Sequence, residues 1–556
     1  MQTARAVTGT ERQTDWNAIN WRHANRAVRN LRQRIFRATQ GGDLKKVRDL
    51  QRLMLRSYAN TLVSVRRVTQ TNQGKRTAGV DKVVVKTPAA RGRLVDHLMT
   101  YQPWRARPAR RVYIPKASGK LRPLGIPTVL DRCLQARVKN ALEPHWEARF
   151  EGMSYGFRPG RGTHDAIQRV YLLAKSDSTR RWVVDADIKG AFDTIDHDHL
   201  LKTIGAAPGR ELIRQWLKAG SVDKGVFHDT TAGTPQGGVI SPLLANIALH
   251  GLEGALGITL NSRGENRTPR AVVRYADDFV VFCRSRADAE RVIEVLTTWL
   301  AERGLALSGE KTRIVHLTDG FDFLGWNVRQ YDAPRTRRGI KLLITPSAAS
   351  VQAITAKLRA TWQEQLGGHA KAVLAALNPI VRGWANYHRT QVASAVFKDL
   401  DHWMFVRATR YSRRTHPLKS AGWLQDRYFG RLNPSRHDTW VFGDKPSGMY
   451  LLKFQWFTIR RHVLVKGRSS PDDPHLTAYW EKRTAAKSAD LTPRKQRLAR
   501  VQQHRCPLCG ASLHNGEELH EHHPHGRGRS EFVVLVHLYC HHQAHAHTEI
   551  NEDAVP

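Results

Sequence analysis

Apolar residues recur at four-residue steps near the start of the chain, where Leu50, Met54, Tyr58 and Leu62 are separated mainly by polar and basic residues. This spacing predicts amphipathic helical structure from Asp15 to about Thr71. The basic face opposite the apolar stripe has two interpretations. It is either a solvated helix surface or, as the charge of the whole chain favours, a surface that contacts RNA phosphates.

Short apolar segments alternate with helical patterns between Val112 and Leu324, as in a mixed α/β domain. Beyond them a helix is predicted to start at Thr345-Pro346, because a capping hydroxyl followed by proline is typical of a helix N-terminus. This helix carries an apolar stripe of Val351, Ile354, Leu358 and Trp362. A second helix is predicted over Ala370 to His388. These patterns predict a small helical domain.

The excess of basic residues indicates which class of partner the protein binds. Lys and Arg number 89 against 49 Asp and Glu, which gives a formal net charge of +40. Such an excess favours a polyanion, and nucleic acid is preferred to a membrane because no apolar run approaches about 18 residues. We expect no signal peptide, and the five cysteines indicate a reducing compartment. The 556 residues predict three or four domains, at about 150 residues each.

Basic clusters with interleaved aromatic residues occupy the segment from Asn433 to Arg500. Aromatic stacking combined with phosphate pairing suits single-stranded or distorted nucleic acid. A basic surface over an ordinary aromatic core explains the same composition almost as well, so both interpretations stay open.

Two acidic segments that follow apolar strands contain the candidate catalytic residues. Tyr275-Ala276-Asp277-Asp278 lies between Val272-Val273 and Phe279–Phe282, which predicts a hairpin with two adjacent carboxylates at its tip. The strand that begins at Val183 ends at Asp187. Adjacent carboxylates repel each other unless a cation neutralises them, and carboxylate oxygens suit Mg²⁺. Asp187, Asp277 and Asp278 are therefore predicted to bind two Mg²⁺ ions, as in a polymerase.

The order of several further motifs resembles the reverse transcriptases encoded within bacterial group II introns, which are multifunctional maturases. The matching segments are 113–127, 154–160 (SYGFRPG), 186–193 (ADIKGAFD), 233–238 (GTPQGG), 275–278 (YADD), 309–312 (GEKT), 321–326 (FDFLGW) and 379–387. The resemblance covers nearly the whole chain. It implies an α+β multidomain fold in the form of a right hand, with fingers, palm and a helical thumb.

The resemblance also implies roles for individual residues. Asp187 and Asp277 would be metal ligands with Asp278 as the adjacent third carboxylate, and Phe192 would exclude ribonucleotides at the sugar 2′ position. Gln236 would lie where the backbone approaches nucleotide or template, and Lys311 would be a supporting cation.

Lys116 and Arg122 flank a glycine-containing loop, where they would contact the triphosphate of the incoming nucleotide or, alternatively, template phosphates. Asp185, Asp193 and Asp196 are expected to cap or orient neighbouring groups.

The end of the chain carries the spacing of a zinc site. Cys506 and Cys509 form one Cys-x2-Cys pair, and His537 with Cys540 forms a second pair at matching spacing. Sulfur and imidazole ligands of this kind suit tetrahedral Zn²⁺ in a structural role. We expect this tail, after about residue 500, to unfold separately on chelation.

Further histidines around these pairs resemble the HNH nuclease module of the same family. By that resemblance His523 is the general base, while His522 and His541 bind one divalent ion, for which Mg²⁺ is a candidate, at the scissile phosphate. Phe532 stands where the family's middle Asn is expected, and Phe cannot form the hydrogen bond that orients the base loop. DNA cleavage and a zinc-stabilised DNA-binding remnant are therefore both open.

The resemblance implies the following domains: fingers and palm over 1–335 with an RNA-binding extension over 1–75, a thumb and maturase domain over 336–430, a DNA-binding segment over 431–500 and the HNH-like module over 501–556. Expected partners are the intron RNA as a lariat ribonucleoprotein, target DNA and dNTPs, with no membrane and no stable protein partner, in a bacterial cytoplasm at the nucleoid. The alternatives are a splicing cofactor without polymerase or nuclease activity, and a zinc nuclease on an RNA-binding platform.

Overall fold

The computed structural model describes residues 13–100, 103–115, 119, 121–261, 265–524 and 533–552. Its first part is helical and ends in a β-hairpin and a long helix. The elements are α1 (Trp21–Gln40), α2 (Leu44–Arg56), α3 (Tyr58–Arg66), α4 (Pro88–Met99), β1 (Ala109–Pro115), β2 (Leu121–Ile126) and α5 (Val129–Arg149). A π-helical turn, Arg67–Thr71, follows α3 directly.

The continuous helical pattern predicted over this part is divided into three helices by side-chain caps. Asn20, Asp43 and Ser57 each accept a hydrogen bond from the backbone N–H three residues on, which starts α1, α2 and α3. Leu50 and Met54 are buried in α2. The apolar stripe is therefore confirmed, although the chain turns at Ser57 between α2 and α3.

The palm contains two sheets and the helices that cover them. Its elements are α6 (Thr163–Ala174), β3 (Trp182–Asp187), α7 (Ala191–Thr194), α8 (His197–Ile204), α9 (Arg210–Lys218), β4 (Ser221–Asp223), β5 (Val226–His228), α10 (Ser241–Ala248), α11 (Leu252–Ala255), β6 (Ala271–Tyr275), β7 (Asp278–Cys283), α12 (Arg286–Ala301), β8 (Arg313–His316), β9 (Phe321–Phe323), β10 (Trp326–Asp332) and β11 (Ile340–Pro346). Strands β9, β10 and β11 form an antiparallel sheet of their own.

The central sheet has the strand order β6-β7-β3-β8 and is antiparallel throughout. Both of its faces are buried. Phe279 and Val281 of β7 pack into the core that contains α12, whereas Val280 and Phe282 pack into the core that contains α6. Two buried faces explain why these strands are apolar without alternation, since successive side chains point to opposite sides of a sheet.

The fingers sheet has the order β2-β1-β4-β5, with β1 and β2 antiparallel and β1 and β4 parallel. This sheet therefore combines the β1–β2 hairpin with β4 and β5, two strands from the part of the chain that forms the palm. This arrangement holds the β1–β2 hairpin beside the end of β3.

The thumb consists of α13 (Ala348–Glu364), α14 (Ala370–His388), α15 (Ser394–Thr415), α16 (Ala421–Tyr428), β12 (Phe429–Gly430), β13 (Val441–Asp444) and β14 (Met449–Tyr450). The range predicted for α14 is confirmed. The start predicted for α13 is wrong, because Thr345 and Pro346 end β11 and the side chain of Ser347 caps the helix instead. Phe442, Leu451 and Phe454 belong to the thumb core, so this core extends beyond residue 430.

Hydrogen bonds and ion pairs between charged groups connect the segment after the thumb to the palm and the fingers. Asp165, in the first turn of α6, accepts hydrogen bonds from His462 Nε2 (2.9 Å), Val465 N (2.9 Å) and an Arg483 guanidinium nitrogen (3.1 Å). Arg32 of α1 pairs with Asp472 at 2.7 Å. Some of the basic groups between 433 and 500 are thus used inside the protein.

The last elements are α17 (Thr477–Ala486), α18 (Pro493–Val501), β15 (Leu519–His522), β16 (Val534–His537) and α19 (Leu538–Glu552). Their apolar side chains share one core with the N-terminal helices, in which Leu535 and Val536 lie with Trp21, Leu62 and Val65. This shared core argues against a tail that unfolds separately. Among the described residues, every helix is too short or too polar to cross a bilayer.

Candidate active site and metal centres

A two-residue hairpin turn places two carboxylates at the end of the central sheet. Tyr275 pairs with Asp278 across β6 and β7, which leaves Ala276 and Asp277 as the turn. Ala276 has φ +59°, a conformation that costs free energy in a non-glycine residue. The buried guanidinium of Arg274 donates to the Ala276 carbonyl at 3.1 Å and thereby holds the turn. This arginine was not among the residues predicted for the site.

The third carboxylate lies directly across the sheet, because Asp187 at the end of β3 pairs in register with Asp278 of β7. Burial, followed by the negative charges of Asp277 and Asp187, raises the pKa of Asp278 to about 7. Burial and Asp187 likewise raise the pKa of Asp277, against the opposing effect of Arg122 and Lys311. The predicted convergence of the three acids is therefore present, and their mutual repulsion suits binding of a cation.

Lys311 supplies a counter-charge to this group. Its Nζ donates to Asp187 Oδ2 at 2.8 Å, and this hydrogen bond raises the pKa of Lys311. The turn that carries Lys311 is joined to β3, because Ser308 N donates to the Asp187 carbonyl at 2.8 Å. Lys311 is thus a partner of a candidate metal ligand.

The other acids of this region have local partners, as expected. Asp185 pairs with Arg313 at 3.1 Å, and Asp196 caps α8 by accepting from His199 N at 2.6 Å. Asp193 accepts from Gln236 Nε2 at 3.1 Å.

A cavity of about 400 Å³ opens beside the carboxylates. Most of the predicted nucleotide-site residues line it, and these are Arg122, Phe192, Gln236 and Lys311, together with Asp187 and Asp277. Lys116, predicted beside Arg122, lies outside the described residues.

Beside Gln236, the backbone of the 233–238 motif lies close to the backbone of β2. Gly125 N donates to the Gln236 carbonyl at 2.9 Å. Gly237 has φ +134°, and a Cβ there would lie 2.7 Å from the Gly125 carbonyl oxygen. Only glycine fits this position, which joins the 233–238 motif to β2.

Phe192 also lines the cavity and lies in α7, the short helix that begins directly after the left-handed Gly190 (φ +58°). Its backbone carbonyl accepts from Thr234 N at 2.6 Å, which fixes it against the 233–238 motif. Its ring meets Phe157 edge-on at 6.1 Å between centroids. The aromatic side chain is therefore held over the cavity by two separate contacts.

The four predicted zinc ligands converge. The ligating atoms of Cys506, Cys509, His537 and Cys540 lie within 4.8 Å of one another, and all four residues are buried. His537 Nε2 lies 3.0 Å from the Ser512 carbonyl, so Nε2 carries the proton and Nδ1 faces the thiols. The three cysteines and a correctly oriented imidazole thus form a donor set that fits Zn²⁺.

Three histidines form a second group in the same region. The ring nitrogens of His522, His541 and His545 lie within 4.8 Å of one another, and His522 Nδ1 is buried without a hydrogen-bond partner among the described residues. His522 and His541 were predicted as ligands, whereas His545 was not. The i+4 spacing of His545 from His541 on α19 is the sequence signal that predicts its position beside them.

His523 follows β15 and is outside this three-histidine group. The position of Phe532 lies outside the described residues.

Three protein-family models together match most of the chain. Residues 114–328 match the family described as reverse transcriptase (RNA-dependent DNA polymerase), and residues 16–98 match the N-terminal domain of reverse transcriptase. Residues 351–429 match the group II intron, maturase-specific domain.

The chain is also similar to individual proteins. The chain is 37% identical to protein YkfC of Escherichia coli over 57% of its own length and 94% of that protein. It is 33% identical to the group II intron-encoded protein LtrA of Lactococcus lactis subsp. cremoris over 41% of this chain and 48% of LtrA, so it matches about half of that relative. A solved telomerase from Candida albicans aligns with 58% of this chain and 61% of its own, at 14% identity and a TM-score of 0.32.

Proposed function

We propose, since the chain belongs to the group II intron reverse transcriptase and maturase family, that it copies its intron RNA into DNA and assists splicing of that RNA. The observation that carries the polymerase part is the convergence of Asp187, Asp277 and Asp278, of which Asp187 and Asp277 line the same cavity as Phe192 and Gln236. A splicing cofactor that had lost polymerisation would not need three mutually repelling acids at one sheet edge.

The three acids would hold Mg²⁺. When bound, the metal would favour the deprotonated primer 3′ hydroxyl and stabilise charge on the leaving phosphate oxygen. Lys311 keeps the Asp187 carboxylate in place, and Arg274 keeps the turn that carries Asp277 in place. Both residues are in that sense positioning residues.

The nucleotide partner follows from the rest of the cavity. Arg122 lines the cavity, and its guanidinium would pair there with a triphosphate. The ring of Phe192 would meet the sugar of the bound nucleotide and leave no room for a 2′ hydroxyl. We therefore propose dNTPs as the substrate, and Lys116 stays a predicted second cation for the triphosphate.

Primer extension tests the polymerase proposal. A DNA primer annealed to an RNA template should be extended by the wild-type chain, and Asp277→Asn should reduce the rate by at least a hundredfold, because it removes a charge from the metal-binding group without changing its shape. Asp229→Asn, at an exposed acid of the fingers, is the matched control and should extend at the wild-type rate. Splicing assistance without any extension by the wild type would favour the splicing-cofactor alternative.

For the C-terminal region we propose a structural Zn²⁺ held by Cys506, Cys509, His537 and Cys540, and an HNH-like module that contacts target DNA. His522 and His541, with His545, would hold one divalent ion, and His523 would take a proton from water during nicking of the second DNA strand. The Nδ1 of His522, which is buried and has no hydrogen-bond partner in the described part of the chain, supports a ligand at this group.

A nicking assay on target DNA tests this part. His523→Ala should abolish nicking while leaving DNA binding intact, whereas His542→Ala, at an exposed neighbour on α19, should nick as the wild type does. Absence of nicking by the wild type would favour the DNA-binding remnant. The DNA-binding role predicted for the segment over 431–500 is kept as part of this proposal, with its first residues packed in the thumb core.

A further inference from the structure

A second cleft, of about 730 Å³, adjoins the catalytic cavity. Phe157, Gly238 and Pro242 line both spaces, so the two are neighbours across a shared edge. A polymer bound in the catalytic cavity can therefore continue into the cleft. Its volume is in the range of small-molecule sites, which admits a single strand rather than a duplex.

The cleft lies between the end of α3 and the zinc-ligand region. One wall carries Arg66 and Arg67, and the facing wall carries Cys509 and Asn515. The π-helical turn Arg67–Thr71 shapes the first wall, and such turns occur frequently at functional sites.

The charge of the cleft favours an anionic ligand. Arg66 is buried and paired with Glu517 at 3.7 Å, and Lys139 is buried and paired with Glu143 at 3.4 Å. Arg67 is exposed and forms no ion pair with any described residue, although its charge still acts on the buried Glu143. Among the described residues that line the cleft, it is the exposed cation and the one best placed to bind a phosphate.

Phe157 presents an aromatic surface at the edge that the two spaces share. Its side chain is 46% exposed, and its backbone has φ +59°. The residues on both sides are anchored, since the Gly156 carbonyl accepts from Asn246 Nδ2 at 2.9 Å and Arg158 forms a buried pair with Glu147 at 3.0 Å. An exposed aromatic ring held in a strained conformation suits base stacking.

The wall from the zinc-ligand region is fixed to the N-terminal helices. Asn25 Nδ2 donates to the Cys509 carbonyl at 3.1 Å, and Lys75 Nζ donates to the Tyr539 hydroxyl at 2.6 Å. These contacts hold the cleft in shape without a ligand.

We propose that this cleft binds the unpaired template strand ahead of the primer terminus, with a phosphate on Arg67, a base on Phe157 and the zinc-ligand region as one wall. This proposal rests on the proposed polymerase function. It gives the C-terminal region a role in reverse transcription that is separate from DNA cleavage.

Binding of primer–template duplexes with template overhangs of 1 and 12 nucleotides tests the proposal in the full chain. The salt dependence of affinity should be steeper for the long overhang, and Arg67→Ala should reduce that difference by about 0.7 in the slope of log K against log salt, which is one phosphate contact on a single strand. Arg93→Ala removes a charge from an exposed position on α4 and should leave the difference unchanged.

The outcomes separate the two proposals. If the wild type extends both duplexes and Arg67→Ala shows the wild-type difference in slope, the cleft proposal is overturned while the polymerase proposal stands. If the wild type extends neither duplex, the polymerase proposal fails first.

Crosslinking adds a readout that does not depend on affinity. A 4-thiouridine at the second to fourth unpaired template nucleotide should crosslink to residues 66–72 and 509–517. Crosslinks confined to the β1–β2 hairpin would overturn the proposal, as would crosslinks that persist unchanged after a complementary strand has been annealed to the overhang.

Discussion

Arg66 of α3 donates a hydrogen bond to the Sγ atom of Cys540 at 3.1 Å, across 474 positions of sequence. The same guanidinium lies 4.6 Å from the centre of the Trp21 ring, so one side chain links a candidate zinc ligand to two N-terminal helices. Burial opposes the charge of Arg66, but the neighbouring Cys540 and Glu517 outweigh it and raise the pKa of this arginine. The candidate zinc centre is therefore part of the fingers as much as of the C-terminal region.

Zinc removal should consequently loosen the fingers. With the metal gone, the thiols repel one another once ionised and the shared core loses its cross-link, so amide hydrogen exchange should accelerate in α1 and α3 as well as after residue 500. Exchange in α14 of the thumb, which belongs to a different core, serves as the control. Faster exchange restricted to residues after 500 would contradict this prediction.

The turn that carries Asp277 should depend on Arg274. This fully buried guanidinium binds the Ala276 carbonyl and, at 3.0 Å, Asn246 Oδ1. Arg274→Met leaves both acceptors unsatisfied, which should lower the free energy of unfolding by about 2–5 kcal/mol. Displacement of Asp277 by about 1 Å should reduce primer extension by about a hundredfold.

Two measurements separate these effects. Denaturant unfolding gives the stability, and extension at a temperature where the variant remains folded gives the rate. Arg313→Met, which removes the exposed partner of Asp185, is the matched control and should lose less than 1 kcal/mol. Wild-type extension by a folded Arg274→Met chain would show that the arginine does not position the turn.

Local sequence signals were sufficient to predict the convergence of the three candidate metal-binding acids and of the four candidate zinc ligands, because in each case the residues adjoin a strand or lie at fixed short spacing. The role of Arg274 could not be predicted, since its partners are a backbone carbonyl and an asparagine 28 residues away. The start of α13 was misplaced because Thr345-Pro346 and Ser347 offer competing signals over three residues. Packing of the tail against α1 and α3 is a long-range contact that leaves no trace in periodicity.

The ring of Phe192 should control selection of the sugar. Phe192→Ala opens the wall of the cavity where a 2′ hydroxyl would lie. The ratio of kcat/KM for dNTP to kcat/KM for rNTP should therefore fall by roughly 10–200-fold, which is the range of discrimination that one apolar contact in a binding pocket provides. Primer extension with each nucleotide class measures this ratio. Phe227→Ala, at a 52% exposed aromatic of the fingers sheet, is the control and should keep the wild-type ratio. Unchanged discrimination in Phe192→Ala would show that another residue forms the gate.

His388 should make the contact between palm and thumb sensitive to acid. It is buried between Trp326 of the palm and Trp384 of the thumb, and its Nε2 lies 3.0 Å from Ser350 Oγ. Burial, with a smaller effect of His164, lowers the pKa of His388 to about 3. In the unfolded chain this imidazole titrates near 6.5, so between about pH 6.5 and pH 3 the unfolded state binds a proton that the folded state does not.

Stability contributed by neutral His388 is thus present above about pH 6.5 and is lost as the pH falls, by at most about 1.4 kcal/mol per pH unit. The wild type should therefore lose protection from hydrogen exchange in α13 and α14 between pH 6.5 and pH 4 more steeply than His388→Gln, which cannot take up the proton. His369→Gln, at the N-terminus of α14, is the control and should follow the wild type. Parallel pH profiles for the wild type and His388→Gln would show that this histidine does not couple the thumb to pH.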